Sequence, residues 1–404
     1  MPTKNPAAFG NGSRPAVPRA VTALVLATGI LSAASCDLGV TNPGRIDDAA
    51  LNTDQALPTL VVGMGADFSV VNDDIGYFMG IASRDIWHSG AFEAEFFMQD
   101  GLIEPRHVNG LWSDMHTARW VAEQGIGRLE EVLGSEANSS PLVTEANVWA
   151  GYSNRLLGEN VCVAVIDGGA PQDRSVHFQR ADQYFTTAIT MAQAQGNDNL
   201  LKAAYAGRAQ VRLDLGQYAE AAADAAKVPL GYHFLALYSD NSSREWNWLA
   251  NESHKRRYFT VWGTWAADVV GDPRVPWVDE GVMGVDGLSP FYRQDKYPEW
   301  YTDMDIAAGD EMRLIEAEAL LRSGDVTGAV AKVNVVRTDA GVPTVTATTE
   351  AEAWTVLRTE RNIVLWMEGR HLWELSRFND PFLADRDKCI PVSQNEAATN
   401  PNIS

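Results

Sequence analysis

The chain is poor in cysteine, in paired histidine and in basic charge, and each shortage removes a class of protein. Three cysteines in 404 residues are too few for a disulfide-stapled scaffold, and without histidine at ligand spacing they give no zinc signature. The seven histidines, at 88, 107, 116, 177, 233, 254 and 371, stand singly, none with a ligand partner one helical turn on. Neither a metal nor a cofactor is expected. Lys and Arg number 32 against 53 Asp and Glu, a net charge of -21. That balance argues against nucleic acid as a partner, because phosphate backbones attract cations. The signatures G-x-S-x-G, H-E-x-x-H, the P-loop and the dinucleotide fingerprint are all missing. Catalysis is therefore not expected, and a glycosidase would have to hide in an acid pair such as Asp303 with Asp305 or Glu245 with Glu252.

The N-terminus has a different character. Lys4, Arg14 and Arg19 precede any acid, and Ala20 to Ala34 is an uncharged apolar run of fifteen residues. A membrane span needs ~20, so the run fits the apolar region of a secretory signal. It ends in Ala33-Ala34-Ser35-Cys36. Small residues before a cysteine resemble the lipobox of bacterial lipoproteins, in which residues 1–35 are removed and Cys36 is lipidated. A plain signal peptide with a chance cysteine is the alternative. Cys162 and Cys389 then remain, free to pair in an exported protein or to stay apart.

Hydrophobic residues make up 46% of the chain, enough for a large core, and most of the periodicity is helical. Asp47–Val62, Trp112–Leu133, Thr144–Val163, Val176–Gln195, Leu200–Leu215 and Ala219–Val228 read as helices. Ser140-Pro141 reads as a cap followed by proline at the first helical position. The stretch from Asp310 to Gly341 has one apolar stripe at Leu314, Ala317 and Leu321. A break follows at Ser323-Gly324-Asp325, then a second stripe at Val326, Ala329, Val330, Val333 and Val336. So short a turn forces an antiparallel helical hairpin. Arg313, Glu316 and Glu318 on it read as surface pairing that keeps the helix soluble.

Ala209, Gly216 and Ala221 repeat the spacing of Ala317, Gly324 and Ala329, a pattern similar to a tetratricopeptide hairpin. Thr349 and Glu352 form a capping box for a helix over about Ala351–Gly369, with Trp354, Leu357, Val364 and Met367 inward. Between the hairpins, 229–309 loses helical period and gains Trp, Tyr, Gly and Pro. A long irregular segment inside a domain is usually functional.

Several segments, taken in order, resemble the SusD/RagB family of outer-membrane nutrient-binding lipoproteins. They are Asp272-Pro273-Arg274, Lys296-Tyr297-Pro298, Glu311 to Ala319, Asn334 to Gly341, and Glu360-Arg361 followed by Glu368 to Leu375. The resemblance implies a mainly α fold, with tetratricopeptide-like hairpins forming a SusD-like α-α superhelix around an irregular aromatic-rich insertion. Residues 36–404 would be one composite domain, with its scaffold at about 112–228 and 310–380. It also implies a lipid anchor on the outer membrane, an oligosaccharide or other nutrient oligomer as ligand, and a SusC-like TonB-dependent transporter as partner. A helical protein-binding scaffold without a small ligand is the alternative.

The residue content suits such a ligand. Sugar rings stack apolar C–H faces on aromatic rings, and their hydroxyls need amide, carboxylate or guanidinium partners. Two clusters offer both: Arg84, Asp85, Trp87 and His88, and the segment Glu245 to Trp248 with Asn251, where an extended backbone would put Trp246 and Trp248 on one face. Each indole can equally be core.

Overall fold

In the computed structural model, residues 51–403 are described. The run Ala20–Ala34 and Cys36 lie outside them. No helix among the described residues is long and apolar enough to cross a membrane.

Helix α1, Leu57–Ser83, carries Pro58 in its first turn, where a missing N–H costs nothing. Residues 47–50 of the expected helix lie outside the described residues; the helix begins only at Leu57 and runs far past Val62, because Phe68, Val71, Ile75 and Met79 continue one buried stripe. Arg84 ends it in the left-handed conformation (φ 62°, ψ 27°). Strand β1 (Trp87–His88) and α2 (Glu93–Gln99) follow. Then come α3 (Asn109–Leu133), α4 (Pro141–Asn160), the short pair β2 (Val163–Ala164) and β3 (Gln172–Asp173), α5 (Ser175–Gln195), α6 (Asp198–Asp214) and α7 (Tyr218–Ala225). Pro141 does open α4, but the Ser140 hydroxyl makes no capping bond.

The region 229–309 is more ordered than its composition suggests. It holds β4 (His233–Ala236), α8 (Trp248–His254), β5 (Phe259–Thr260), β6 (Trp277–Met283), β7 (Pro290–Gln294) and β8 (Met304–Ala308). Among the described residues four two-stranded antiparallel pairings, β1–β5, β2–β3, β4–β8 and β6–β7, make up the sheet content. Strand β8 then turns into α9 (Gly309–Arg322), followed by α10 (Val326–Asp339), α11 (Glu350–Val364), α12 (His371–Arg377) and α13 (Gln394–Thr399). At that turn a Cβ on Gly309 would lie 2.1 Å from the Pro229 carbonyl oxygen, so the junction admits only glycine.

The helices pack as successive neighbours, α3 on α4, α4 on α5, α5 on α6 and α6 on α7. Helix α7 then packs against α9, which pairs with α10 and α11. The two hairpins recognised by their spacing are thus adjacent in space, and 229–309 is the excursion between them. Ala209, Ala221, Ala317 and Ala329 are all buried. Small residues also set the spacing deeper in: the Phe185 ring sits where a Cβ on Gly151 or Gly207 would approach within 2.6 or 2.2 Å. The capping box at Thr349 and Glu352 forms as read.

Charge is buried systematically. Arg361, with no exposed surface, donates to both carboxylate oxygens of Glu374 at 2.7 and 2.8 Å. Arg377 bridges Glu374 and Glu318. Arg370 joins Glu311 and, at 2.9 Å, Glu159. Burial opposes the charge on Glu374, but Arg361 and Arg377 outweigh it and hold the carboxyl well below its usual range. Glu318 is therefore a buried ion-pair member, not a solubilising surface acid, and Glu316, also buried, pairs with Arg313 and Lys332. Isolated helix spacing places such acids on a surface, but α12 covers this one. A disulfide joins Cys162, after α4, to Cys389 in the C-terminal tail.

Candidate functional site

The residues proposed from sequence divide sharply. The left-handed turn at Arg84 sends Asp85 inward, strand alternation sends His88 inward, and Arg84 and Trp87 are left half-exposed. Asp85 accepts from the Trp265 indole (3.0 Å) and the Met367 backbone (2.8 Å), with His371 at 3.3 Å. Burial raises its pKa against the pull of His371. It ties β1 to the C-terminal helices and is not a ligand group. His88 is buried with its ring edge-on to Phe96 at 4.7 Å, and burial lowers its pKa to about 4, so it is a neutral core residue.

Arg84 and Trp87 remain on the surface and gain a partner that the sequence reading did not single out. Strand β1 pairs with β5 in the register Trp87 to Thr260, which carries Trp262 alongside. The two indoles meet nearly at right angles (79°), with centroids 5.8 Å apart. The Arg84 guanidinium lies 4.3 Å above the Trp87 ring. Among the described residues no carboxylate stands at ion-pair distance from it, and its Nε is buried without a hydrogen bond. Burial lowers its pKa, with the Asp100 charge acting in opposition. An aromatic corner with unused donors beside it can hold a ring with apolar faces and polar substituents.

The second cluster is built differently from the extended segment expected. Asn247 caps α8 through its side chain, and Trp248 is the first helical residue. The Trp246 ring still meets those of Trp248 and Trp300, both at 6.0 Å. Lys255 fills the group itself, its Nζ 4.2 Å from the Trp246 ring and 3.4 Å from the Trp300 ring. Asn251 is buried inside α8 and takes no part in a surface site.

The acid pairs weighed for catalysis are engaged elsewhere. Asp303 accepts from the Tyr238 backbone and Asp305 pairs with His233. Glu245 caps a local turn through Ser239, and Glu252 pairs with Arg256. Among the described residues no group of three His, Cys, Asp or Glu is arranged to hold a metal.

The last quarter of the chain carries a family match. Residues 310–404 match the sequence profile of the SusD family. They belong to that family. Solved structures extend the likeness over the fold. A SusD superfamily protein from Bacteroides vulgatus superposes with a TM-score of 0.66 at 14% identity, covering 87% of this chain and 98% of its own. The surface glycan-binding protein A of Bacteroides thetaiotaomicron gives 0.68 at 14% over 86% and 97%. The same protein bound to laminarihexaose gives 0.67 at 14% over 87% and 98%. No curated protein matches by sequence.

The SusD-like segments turn out to bind one another. Arg274 of the Asp272-Pro273-Arg274 turn reaches Glu360, which also accepts from Arg337 at 2.7 Å. Lys296 of Lys296-Tyr297-Pro298 pairs with Glu368 at 2.8 Å. These sequence signatures report the scaffold's ion pairs. Trp262 is in none of them, and in the sequence it stands only as one of the many aromatic residues of 229–309.

Proposed function

We propose that this chain is an exported, lipid-anchored protein that captures an oligosaccharide at the Trp87–Trp262 corner and passes it to a SusC-like TonB-dependent transporter. The observation that carries the reading is the pair of half-exposed indoles at 79° with the unpaired Arg84 guanidinium above one of them. Stacking supplies affinity, and the free donors supply hydrogen bonds to hydroxyls. Glycan binding by structurally similar proteins supports the same choice. Binding proceeds without turnover in this reading, since the acid pairs weighed for catalysis, Asp303 with Asp305 and Glu245 with Glu252, are bound to protein partners.

The signal run and Ala33-Ala34-Ser35-Cys36 support export and an outer-membrane anchor at Cys36, with 36–404 as the mature single domain. A protein partner is supported by the β6–β7 hairpin, which exposes Val278, Val282, Met283, Val285 and Leu288, the last at 80%. Monomeric proteins seldom leave so apolar a ribbon uncovered.

Calorimetry against a panel of glycans and peptides, with analysis of the recovered ligand, tests the reading. A glycan that binds and returns intact supports it, and cleaved product contradicts it. Silence across the panel together with co-purification of a transporter favours a protein scaffold instead.

A further inference from the structure

Helix α3 carries a tryptophan that its amphipathic pattern does not explain. The buried stripe of α3 is Leu111, Trp112, Met115, Ala118, Ala122 and Leu129. Trp120 lies off it and is 51% exposed. The indole faces a hollow of about 400 Å³ between α3, the loop around Asp167 and α13, a volume in the range of small-molecule sites. None of the sequence-proposed residues lines it.

The other walls are polar, and much of their bonding capacity is unused. Ser113 and Thr117 precede Trp120 by seven and three positions, which puts all three on one helical face. Their hydroxyls make no hydrogen bond among the described residues, and neither does the Asn395 side chain on the opposite wall. Asp167 uses one oxygen on Arg119, and Glu396 uses one on Asn400. The floor is His116, packed on Trp112 at 4.6 Å with Nε2 buried and unpartnered. Burial, reinforced by Arg119, lowers its pKa to about 4, so the floor is neutral; on the rim Arg119 offsets Asp167, and Glu396 meets no cation among the described residues.

An exposed indole beside free hydroxyls, an amide and single carboxylate oxygens is the inventory that a sugar ring requires. We propose that this hollow is a second glycan subsite, separate from the Trp87–Trp262 corner, which stacks a neutral pyranose on Trp120 and turns away acidic sugars at Glu396. Like-charge contact at the rim supplies the discrimination. The inference rests on the glycan-binding reading but not on where that reading places the first site.

The test is calorimetric titration of the mature chain and of Trp120→Ala, Ser113→Ala and Trp87→Ala with laminarihexaose, mannohexaose, chitohexaose and hexagalacturonate. Thermal melts confirm that each variant folds. At least one neutral hexasaccharide should weaken about tenfold, the ratio ~1.4 kcal/mol represents, in Trp120→Ala. A smaller loss is expected in Ser113→Ala, and hexagalacturonate should be unaffected by either change. Affinities within twofold of wild type in Trp120→Ala overturn the subsite, even if Trp87→Ala abolishes binding and so upholds the first site. Loss in Trp120→Ala alone keeps the subsite and displaces the first. No binding of any probe to wild type overturns both.

Discussion

The scaffold and the aromatic surface treat cations in opposite ways. Behind α9, α11 and α12, Arg361 and Arg370 are buried and Arg377 is half-buried, and each meets at least one carboxylate. On the aromatic surface Arg84 stands over Trp87 and Lys255 between Trp246 and Trp300, with no ion pair among the described residues. A buried charge left alone costs several kcal/mol, so pairing in the scaffold is a condition of folding. A half-exposed cation on an indole costs little and keeps its donors for something else. The first arrangement holds the fold, and the second leaves chemistry available.

The largest effect should come from breaking the paired side. Glu374→Ala leaves Arg361 without its bidentate partner and should cost ~3–5 kcal/mol in chemical denaturation. A loss under ~1 kcal/mol would erase the distinction. The same carboxyl predicts an acid limit. Its folded pKa is depressed, so its contribution is complete above the ordinary glutamate pKa of ~4.3 and disappears as pH falls toward the folded value.

Packing provides an uncharged control. Gly207→Ala drives a methyl into the Phe185 ring, 2.2 Å away, and should cost ~1–3 kcal/mol, seen as a lower melting temperature. An unchanged melt would mean that the α4–α6 spacing is not set by that ring.

A half-buried acid without a cation sharpens the contrast from the other direction. Asp74 is pushed up to about 7 by burial and by the Asp114 and Glu252 charges. A raised acid favours folding below its unfolded pKa and loses that contribution as pH rises through the folded value. Asp74→Asn should therefore stabilise by ~1–2 kcal/mol at pH 8, after discounting for solvent, and change little near pH 4. Equal effects at both pH values would contradict the assignment. The smallest change belongs to Lys255→Ala, which removes an exposed cation–π contact worth ~0.5–1 kcal/mol and should shift the melt only slightly.

Local periodicity made the scaffold legible. The stripes of α9 and α10, the glycine between them and the Thr349 box depend on residues a few positions apart, and each forms. The pairing of the hairpins was visible in their matched spacing, but their contact through α7 and α9 was not. Charge was misjudged where a partner came from far away: Glu318 looked like a surface acid until Arg377, 59 residues on, covered it. The aromatic surface was half legible. Arg84 and Trp87, proposed for their chemistry, stand half-exposed, whereas neighbouring positions on a strand face opposite sides, which takes His88 inward, and the left-handed turn at Arg84 takes Asp85 inward. Trp262 arrives only through the β1–β5 register, and Trp120 is visible only as an indole off its helix's stripe.

The most direct measurement replaces Arg84 with methionine and reads glycan affinity and unfolding free energy on the same preparation. If the unpaired cation serves a ligand, affinity falls about tenfold while stability changes by less than ~1 kcal/mol. A stability loss as large as that of Glu374→Ala, with affinity unchanged, would contradict it and make Arg84 one more member of the scaffold.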